Sequence, residues 1–210
     1  MRDDRGAFRA VRAALANELK VVCDQLGVGV CEALGACGEP TLAPTPGGCD
    51  AELFLLAWGA RRGNAPTRLL DAAAEINSAM PAYVVAKVGD ALNDAGKAVR
   101  GSKVAILGMA QKKDGNDSEE APSFELLDLL LKKGARVSYN DPHVPSLPRL
   151  DPLDSTALTA EYLAGQDCVL IATDHTEYDY AFIVAHSRLV VDTRNATRAV
   201  TSGREKVVRA

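Results

Sequence analysis

At 210 residues, with 47% hydrophobic and 25% charged side chains, the chain can bury one core of ordinary size plus a helical appendage. A net charge of −4 without a long basic tract speaks against a nucleic-acid partner. No charged-then-apolar leader and no apolar run long enough for a membrane span is evident, so a cytoplasmic protein is expected. The five cysteines, Cys23, Cys31, Cys37, Cys49 and Cys168, are odd in number and lack C-x-x-C pairing. That disfavours both a disulfide framework and a zinc site, and most are expected to be small buried apolar residues.

In chain order, Phe8, Val11, Leu15, Leu19, Val22 and Leu26 recur at three- and four-residue steps and predict an amphipathic helix that Gly27 ends. Its apolar stripe requires a partner surface, either another helix of this chain or a second subunit. Residues 29–37 read as a short helix, and Gly38 to Gly48, rich in Pro, Thr and Gly, as a loop. Glu52 to Gly63 predicts a third helix, and Pro66 to about Val99 a long one with Pro81 inside it, so a kink is expected near Met80. Gly96 to Ser102 is the expected hinge into a second part of the molecule.

That second part alternates strands with helices. Val104 to Leu107 is an apolar run stopped by Gly108, the pattern of a buried parallel strand. Pro122 and Ser123 open a helix with Phe124, Leu127, Leu130 and Leu131 at helical spacing, closed by Lys132, Lys133 and Gly134. Arg136 to Asn140 then alternates as a second strand, ending at Asp141-Pro142. Such a strand–helix–strand unit is wound right-handed and offers ligands the carboxyl ends of its strands. Thr159 to Ala164 reads as a short helix, Cys168 to Ala172 as a third strand, Tyr178 to His186 as a helix and Leu189 to Asp192 as a fourth strand. The expected fold is therefore α/β: helical over residues 1–100, a Rossmann-like, doubly wound and mostly parallel sheet over 101–200, and a frayed tail over 201–210.

The loop from Met109 to Glu120 leaves the carboxyl end of the first strand. Lys112 and Lys113 could meet a phosphate together with main-chain N–H groups near the helix start, but Asp114, Asp117, Glu119 and Glu120 share the loop. A solvated charged loop is the alternative. Gly108 stands alone at the turn, so no G-x-G-x-x-G dinucleotide fingerprint is present. His175, at the carboxyl end of the third strand, reads as a capping or solvent-facing residue rather than a catalytic one.

At these residues a resemblance becomes specific. VAILGMAQKKD (104–114), the Asp141-Pro142 pair and VVDTRN (190–195) resemble the C-terminal, UDP-binding domain of the UDP-glucose/GDP-mannose dehydrogenase family. The similarity is greatest to the branch of UDP-N-acetylglucosamine and N-acetylmannosamine 6-dehydrogenases. Upstream, EINSAMPAYVV (75–85) and FRAVRAALANEL (8–19) resemble the family's central helical, dimer-forming region. The resemblance runs from Phe8 to about Arg198 and leaves out the family's N-terminal NAD-binding domain. It implies part of an oxidoreductase of polysaccharide biosynthesis that oxidises the C6 alcohol of a UDP-sugar to a carboxylate with NAD. It further implies a homodimer, a UDP-sugar partner, and activity only where a separate chain supplies the NAD domain, since no cofactor is expected to bind this chain alone. The alternative is a degenerate fragment, a non-catalytic module that binds a UDP-sugar or dimerises.

The family's site residues carry over one at a time. Gly47-Gly48-Cys49, followed by Leu56-Ala57-Trp58, resembles a Gly-Gly-His-Cys motif whose glycines border the substrate and whose cysteine is the nucleophile. There the thiolate attacks the aldehyde made by the first hydride transfer; the thiohemiacetal is oxidised to a thioester, and water releases the acid. Here the His is absent and the surrounding loop is shortened, so a structural or idle Cys49 is the competing reading. Lys112 matches a lysine that contacts the UDP-sugar, and Arg194 an arginine that reaches the neighbouring subunit's sugar site. Glu119 stands where the family has an arginine facing NAD. The lysine and asparagine that hold the hydrolytic water fall at Arg2 and Gly6.

Overall fold

The structure, a computed structural model, describes residues 4–36, 44–47, 51–118, 121–147 and 153–210. Its contacts divide the chain into two units, one up to Met80 and one from Pro81. The first is helical: α1 (Asp4–Gln25), α2 (Val30–Ala36), α3 (Ala51–Arg62) and the start of α4 (Arg68–Asp94). Gly27, at φ 69°, ends α1 in the left-handed region that glycine tolerates best. Thr67 leads into α4 and donates its hydroxyl to Asp71, which also holds Arg61 at the end of α3.

The first unit's core is built from small side chains. Ala7, Ala10 and Ala14 of α1 pack with Leu53 and Ala73, while Val11, Leu70 and Ile76 are partly buried against them. The predicted apolar stripe of α1 thus divides. Val11 and Leu19 turn partly inward, whereas Phe8, Leu15, Val22 and Leu26 remain 66%, 51%, 47% and 72% exposed. The alanines at 7, 10 and 14 account for the difference, because they let the helices approach closely and leave no room for the larger residues.

The second unit is a five-stranded sheet of β1 (Lys103–Leu107), β2 (Arg136–Asn140), β5 (Cys168–Ile171), β6 (Val190–Asp192) and β7 (Val207–Arg209), in the order β2-β1-β5-β6-β7. All four pairings are parallel. Between β2 and β5, the two-residue strands β3 (Ser146–Leu147) and β4 (Leu153–Asp154) pair antiparallel. Successive strand residues face opposite layers, as the pleat demands. Val104, Ile106 and Leu170 lie under α4 and α5 (Pro122–Lys132), against Val84, Val88, Leu92, Leu126, Leu127 and Leu130. Ala105, Leu107, Val169 and Ile171 face α6 (Ala160–Ala164) and α7 (Tyr180–His186), against Leu163, Ile183 and Val184. All of these side chains are fully enclosed, which explains the near-continuous apolar runs in the strands.

Two boundaries differ from the sequence reading. The residues after Val200 do not fray: Val207–Arg209 adds a fifth strand beside β6, and the Ala210 N–H donates to the Asp192 carbonyl. The division between the units falls inside α4 rather than at Gly96 to Ser102, because Val84, Val85, Val88, Ala91 and Leu92 belong to the sheet's core. No helix of the described residues is long and apolar enough to cross a membrane.

Candidate functional site

Among the described residues, the carboxyl edge of the sheet holds a densely connected polar cluster. β2 ends at Asn140, and Asp141 turns its carboxylate under the loops of the neighbouring strands with no exposure at its side chain. One carboxylate oxygen accepts the N–H groups of Met109 and Ala110 at 2.6 and 2.9 Å. The other accepts those of His143 and Val144 at 2.8 and 3.1 Å. Burial pushes this acid up, but the His175 hydrogen bond and the amides of Ala110 and His143 outweigh it and bring it down to about 2.

His175 is fully buried and spans two loops. Its Nδ1 accepts the Asp114 N–H at 3.0 Å, so the ring hydrogen sits on Nε2, which lies 3.1 Å from the Asp141 carboxylate. This corrects the reading of His175 as a capping or solvent-facing residue: it is an internal strut. Among the described residues, Asp114, His143 and His175 bring possible metal-ligand atoms within 4.8 Å of one another. Both His175 nitrogens are committed to the protein, however, so His175 itself has no free lone pair for a metal.

Four consecutive residues after β5 each fasten a neighbouring segment. Thr173 donates its hydroxyl to the Ala110 carbonyl at 2.7 Å, and Asp174 accepts from Arg194 Nε at 3.1 Å. His175 holds Asp141, and Thr176 donates both its N–H and its hydroxyl to the Asp114 carboxylate at 2.7 and 2.6 Å. Those two bonds hold the Asp114 carboxyl below the usual range although it is exposed. Asp114 has φ 56°, a left-handed conformation that these contacts stabilise. The loop bearing Lys112 and the residue Arg194 are therefore each fastened to the segment 173–176.

The predicted site residues fall as follows. Lys112 and Lys113 are exposed on the loop after β1. Arg194 is partly buried after β6, its main-chain N–H donated to Asp192 and its guanidinium to Asp174. Asp192 also accepts from the N–H and hydroxyl of Thr197. Gly47 belongs to the first unit, half-buried at φ 95°. Gly48, Cys49, Glu119 and Arg2 lie outside the described residues. Of the other cysteines, Cys168 is fully buried with its thiol pushed up to about 12 by desolvation and Asp167, whereas Cys23 and Cys31 are half-buried rather than core residues. Gly6 lies within α1.

The turn after β1 is closely packed at Gly108, whose φ is 86°. A side chain at Gly108 would place its Cβ 2.5 Å from the Thr173 Cβ and 2.6 Å from the Thr173 carbonyl oxygen. Further along the same loop, no side chain caps the start of α5, where Ala121 is the N-cap and Pro122 follows.

A doubly wound parallel sheet with its polar cluster at the strands' carboxyl ends defines a Rossmann-like α/β domain. Residues 105–199 match the UDP-glucose/GDP-mannose dehydrogenase family, UDP binding domain, and this part of the chain belongs to that family. It is 31% identical over 201 residues to a UDP-N-acetyl-D-mannosamine dehydrogenase of Methanococcus maripaludis, covering 90% of this chain and 45% of that protein. An NDP-N-acetyl-D-galactosaminuronic acid dehydrogenase of Ralstonia nicotianae is 28% identical, with 90% of this chain and 45% of that protein covered. Among solved structures, the NDP-N-acetyl-D-galactosaminuronic acid dehydrogenase of Methanosarcina mazei superposes with a TM-score of 0.82 at 24% identity, over 98% of this chain and 48% of that one. The UDP-N-acetyl-mannosamine dehydrogenase of Staphylococcus aureus gives 0.71 at 26% identity, over 97% and 47%. The chain spans about half the length of the relatives it matches.

Proposed function

We propose that this chain is the central and UDP-binding portion of a UDP-sugar 6-dehydrogenase, and that on its own it recognises UDP but not NAD. The observation that carries the reading is the carboxyl edge of the sheet. Lys112 stands exposed on a loop fastened at Ala110 and Asp114, and the sequence has no G-x-G-x-x-G turn for a dinucleotide. A phosphate met by a lysine gains a charge-assisted hydrogen bond worth about 1.5–3 kcal/mol. Arg194, poised by Asp174, is the second cation, assigned to the sugar site of a neighbouring subunit. Cys49 is the nucleophile of the oxidation and Gly47 and Gly48 border the substrate, with NAD supplied from a domain that these 210 residues do not include. The active assembly is a homodimer in which the exposed Phe8, Leu15 and Val22 of α1 are covered by the second subunit.

A second reading, a UDP-sugar-binding or dimerising module without chemistry, is favoured by one observation. The family's water-holding asparagine falls at Gly6, which has no side chain to hold anything. Titration calorimetry and an NADH absorbance assay on one preparation separate the outcomes. UDP is expected to give a weak heat that Lys112→Ala reduces about tenfold in affinity, a loss matching one charge-assisted hydrogen bond. No UDP heat, or no effect of the substitution, overturns the ligand. Steady NADH formation lost in Cys49→Ser would show the chain to be a complete enzyme.

A further inference from the structure

The first unit contains a polar device inside an otherwise apolar, alanine-rich core. Asn17 of α1 is fully buried and Asn77 of α4 is 5% exposed. Each uses its amide in one direction. Asn77 Nδ2 donates to the Ala10 carbonyl at 3.0 Å, and Asn17 Nδ2 donates to Asn77 Oδ1 at 3.0 Å. Asn17 Oδ1 then accepts the Thr45 N–H at 2.9 Å. The chain of bonds starts on a helix backbone and ends on the backbone of the loop before α3.

The sequence of that loop makes the last bond a particular one. Thr45 lies between Pro44 and Pro46, both buried, and proline has no N–H, so Thr45 supplies the sole backbone donor of this tripeptide. A residue before proline is also confined to extended conformations, which holds Thr45 in a stiff, polyproline-like segment. Gly47, at φ 95°, then takes a conformation that favours glycine, and the sequence continues through Gly48 to Cys49. A buried amide pair that a Leu or Ala pair could replace is costly unless every group is satisfied; here its free acceptor is spent on one loop amide.

We infer that Asn17 and Asn77 are positioning residues that clamp the Pro44–Gly47 segment, through the Thr45 N–H, directly before Gly48-Cys49 in the sequence. This deepens the function proposed above and rests on its reading of Cys49 as the reacting thiol. The clamp touches no substrate; it acts through the loop.

The test compares the full chain with Asn17→Ala, which removes the acceptor, and Thr45→Pro, which removes the donor and leaves the asparagine pair in place. Hydrogen exchange read by mass spectrometry over a peptide spanning the loop should show the Thr45 amide protected in the wild type and open in Asn17→Ala. Alkylation by iodoacetamide, followed at each cysteine, should speed up about tenfold at Cys49 in both variants, the order of effect of one net hydrogen bond. Cys23 and Cys31, half-buried on α1 and α2, serve as internal controls whose rates should stay put. An unprotected Thr45 amide in the wild type overturns the clamp. So does an unchanged Cys49 rate once that amide is released, or an equal acceleration at all three cysteines, which signals general loosening. Because neither readout uses UDP or NAD, a failed UDP titration condemns the functional reading and leaves the clamp standing, and the converse also holds.

Discussion

The two units solve the problem of burial differently. In the sheet unit, large side chains fill both faces, and the charged groups at the carboxyl edge are tied into loops: Asp141 alone accepts four main-chain N–H groups and faces His175. In the helical unit the buried face of α1 is alanine, and the large residues Phe8, Leu15 and Val22 of α1 and Phe54, Leu55 and Trp58 of α3 remain exposed. Apolar area removed from water is worth about 25 cal/mol per Å², so the sheet unit holds the means of its own stability and the helical unit leaves much of its apolar area unused. The difference teaches where function imposes on folding. A unit that must bury more has kept its surface for something else.

That contrast can be broken most sharply at Asp141. Asp141→Ala strands the amides of Met109, Ala110, His143 and Val144 and the ring N–H of His175, and is expected to cost about 3–5 kcal/mol in urea unfolding. A loss near that of an average surface substitution would show that the edge does not hold the unit together. Gly108→Ala should cost about 2–4 kcal/mol, since its Cβ would meet Thr173 at 2.5 Å and its φ of 86° disfavours any side chain.

Acid titration sharpens the same point. The Asp141 carboxyl sits at about 2 in the folded chain against 3.8 as the ordinary value, so its contribution is fully present above the unfolded value and is lost as pH falls through the folded one. Stability should therefore drop by roughly 2 kcal/mol between about pH 4.5 and pH 2, and Asp141→Asn should remove that part of the profile. An unaltered acid limb in the variant assigns the loss to other carboxylates.

The smallest effect on stability is expected on the helical side. Leu15→Glu, at an exposed position, should change the unfolding free energy of the monomer by no more than about 0.5 kcal/mol. It should nevertheless convert a dimer to a monomer in light scattering at micromolar concentration. A dimer that persists in both Leu15→Glu and Phe8→Glu moves the interface away from α1.

Much of the sheet unit was legible because parallel strands buried on both faces must be written as apolar runs. Lys103–Leu107, Cys168–Ile171 and Val190–Asp192 lie where those runs stand, and Arg136–Asn140, an edge strand, is legible from its alternation instead. β7 escaped because Val207 and Val208 are a short pair among charged neighbours, and only the partner β6 makes them a strand. Lys112 and Arg194 were visible through the resemblance, but the segment Thr173–Thr176 that fastens both was not. Its contacts reach residues 20 to 63 positions away, which leaves no periodic trace in the sequence. The stripe on α1 misled in part, since spacing reports which residues share a face and says nothing about whether alanines on another face pack more closely.

The strand order also sets a timetable. β1 is central, paired on one side with β2 and on the other with β5, so that Val104 lies opposite both Val137 and Cys168. As the chain leaves the ribosome, β2 reaches β1 first, and the far side of β1 waits while α5, β2 and α6 emerge. Closing so long a loop is slow, because its entropy must be overcome before any contact compensates it. During that interval Val104 to Leu107 is an open apolar strand edge, the kind of surface that pairs with other nascent chains. The yield of soluble protein should therefore depend on expression temperature and chain concentration more than on the final stability of the sheet.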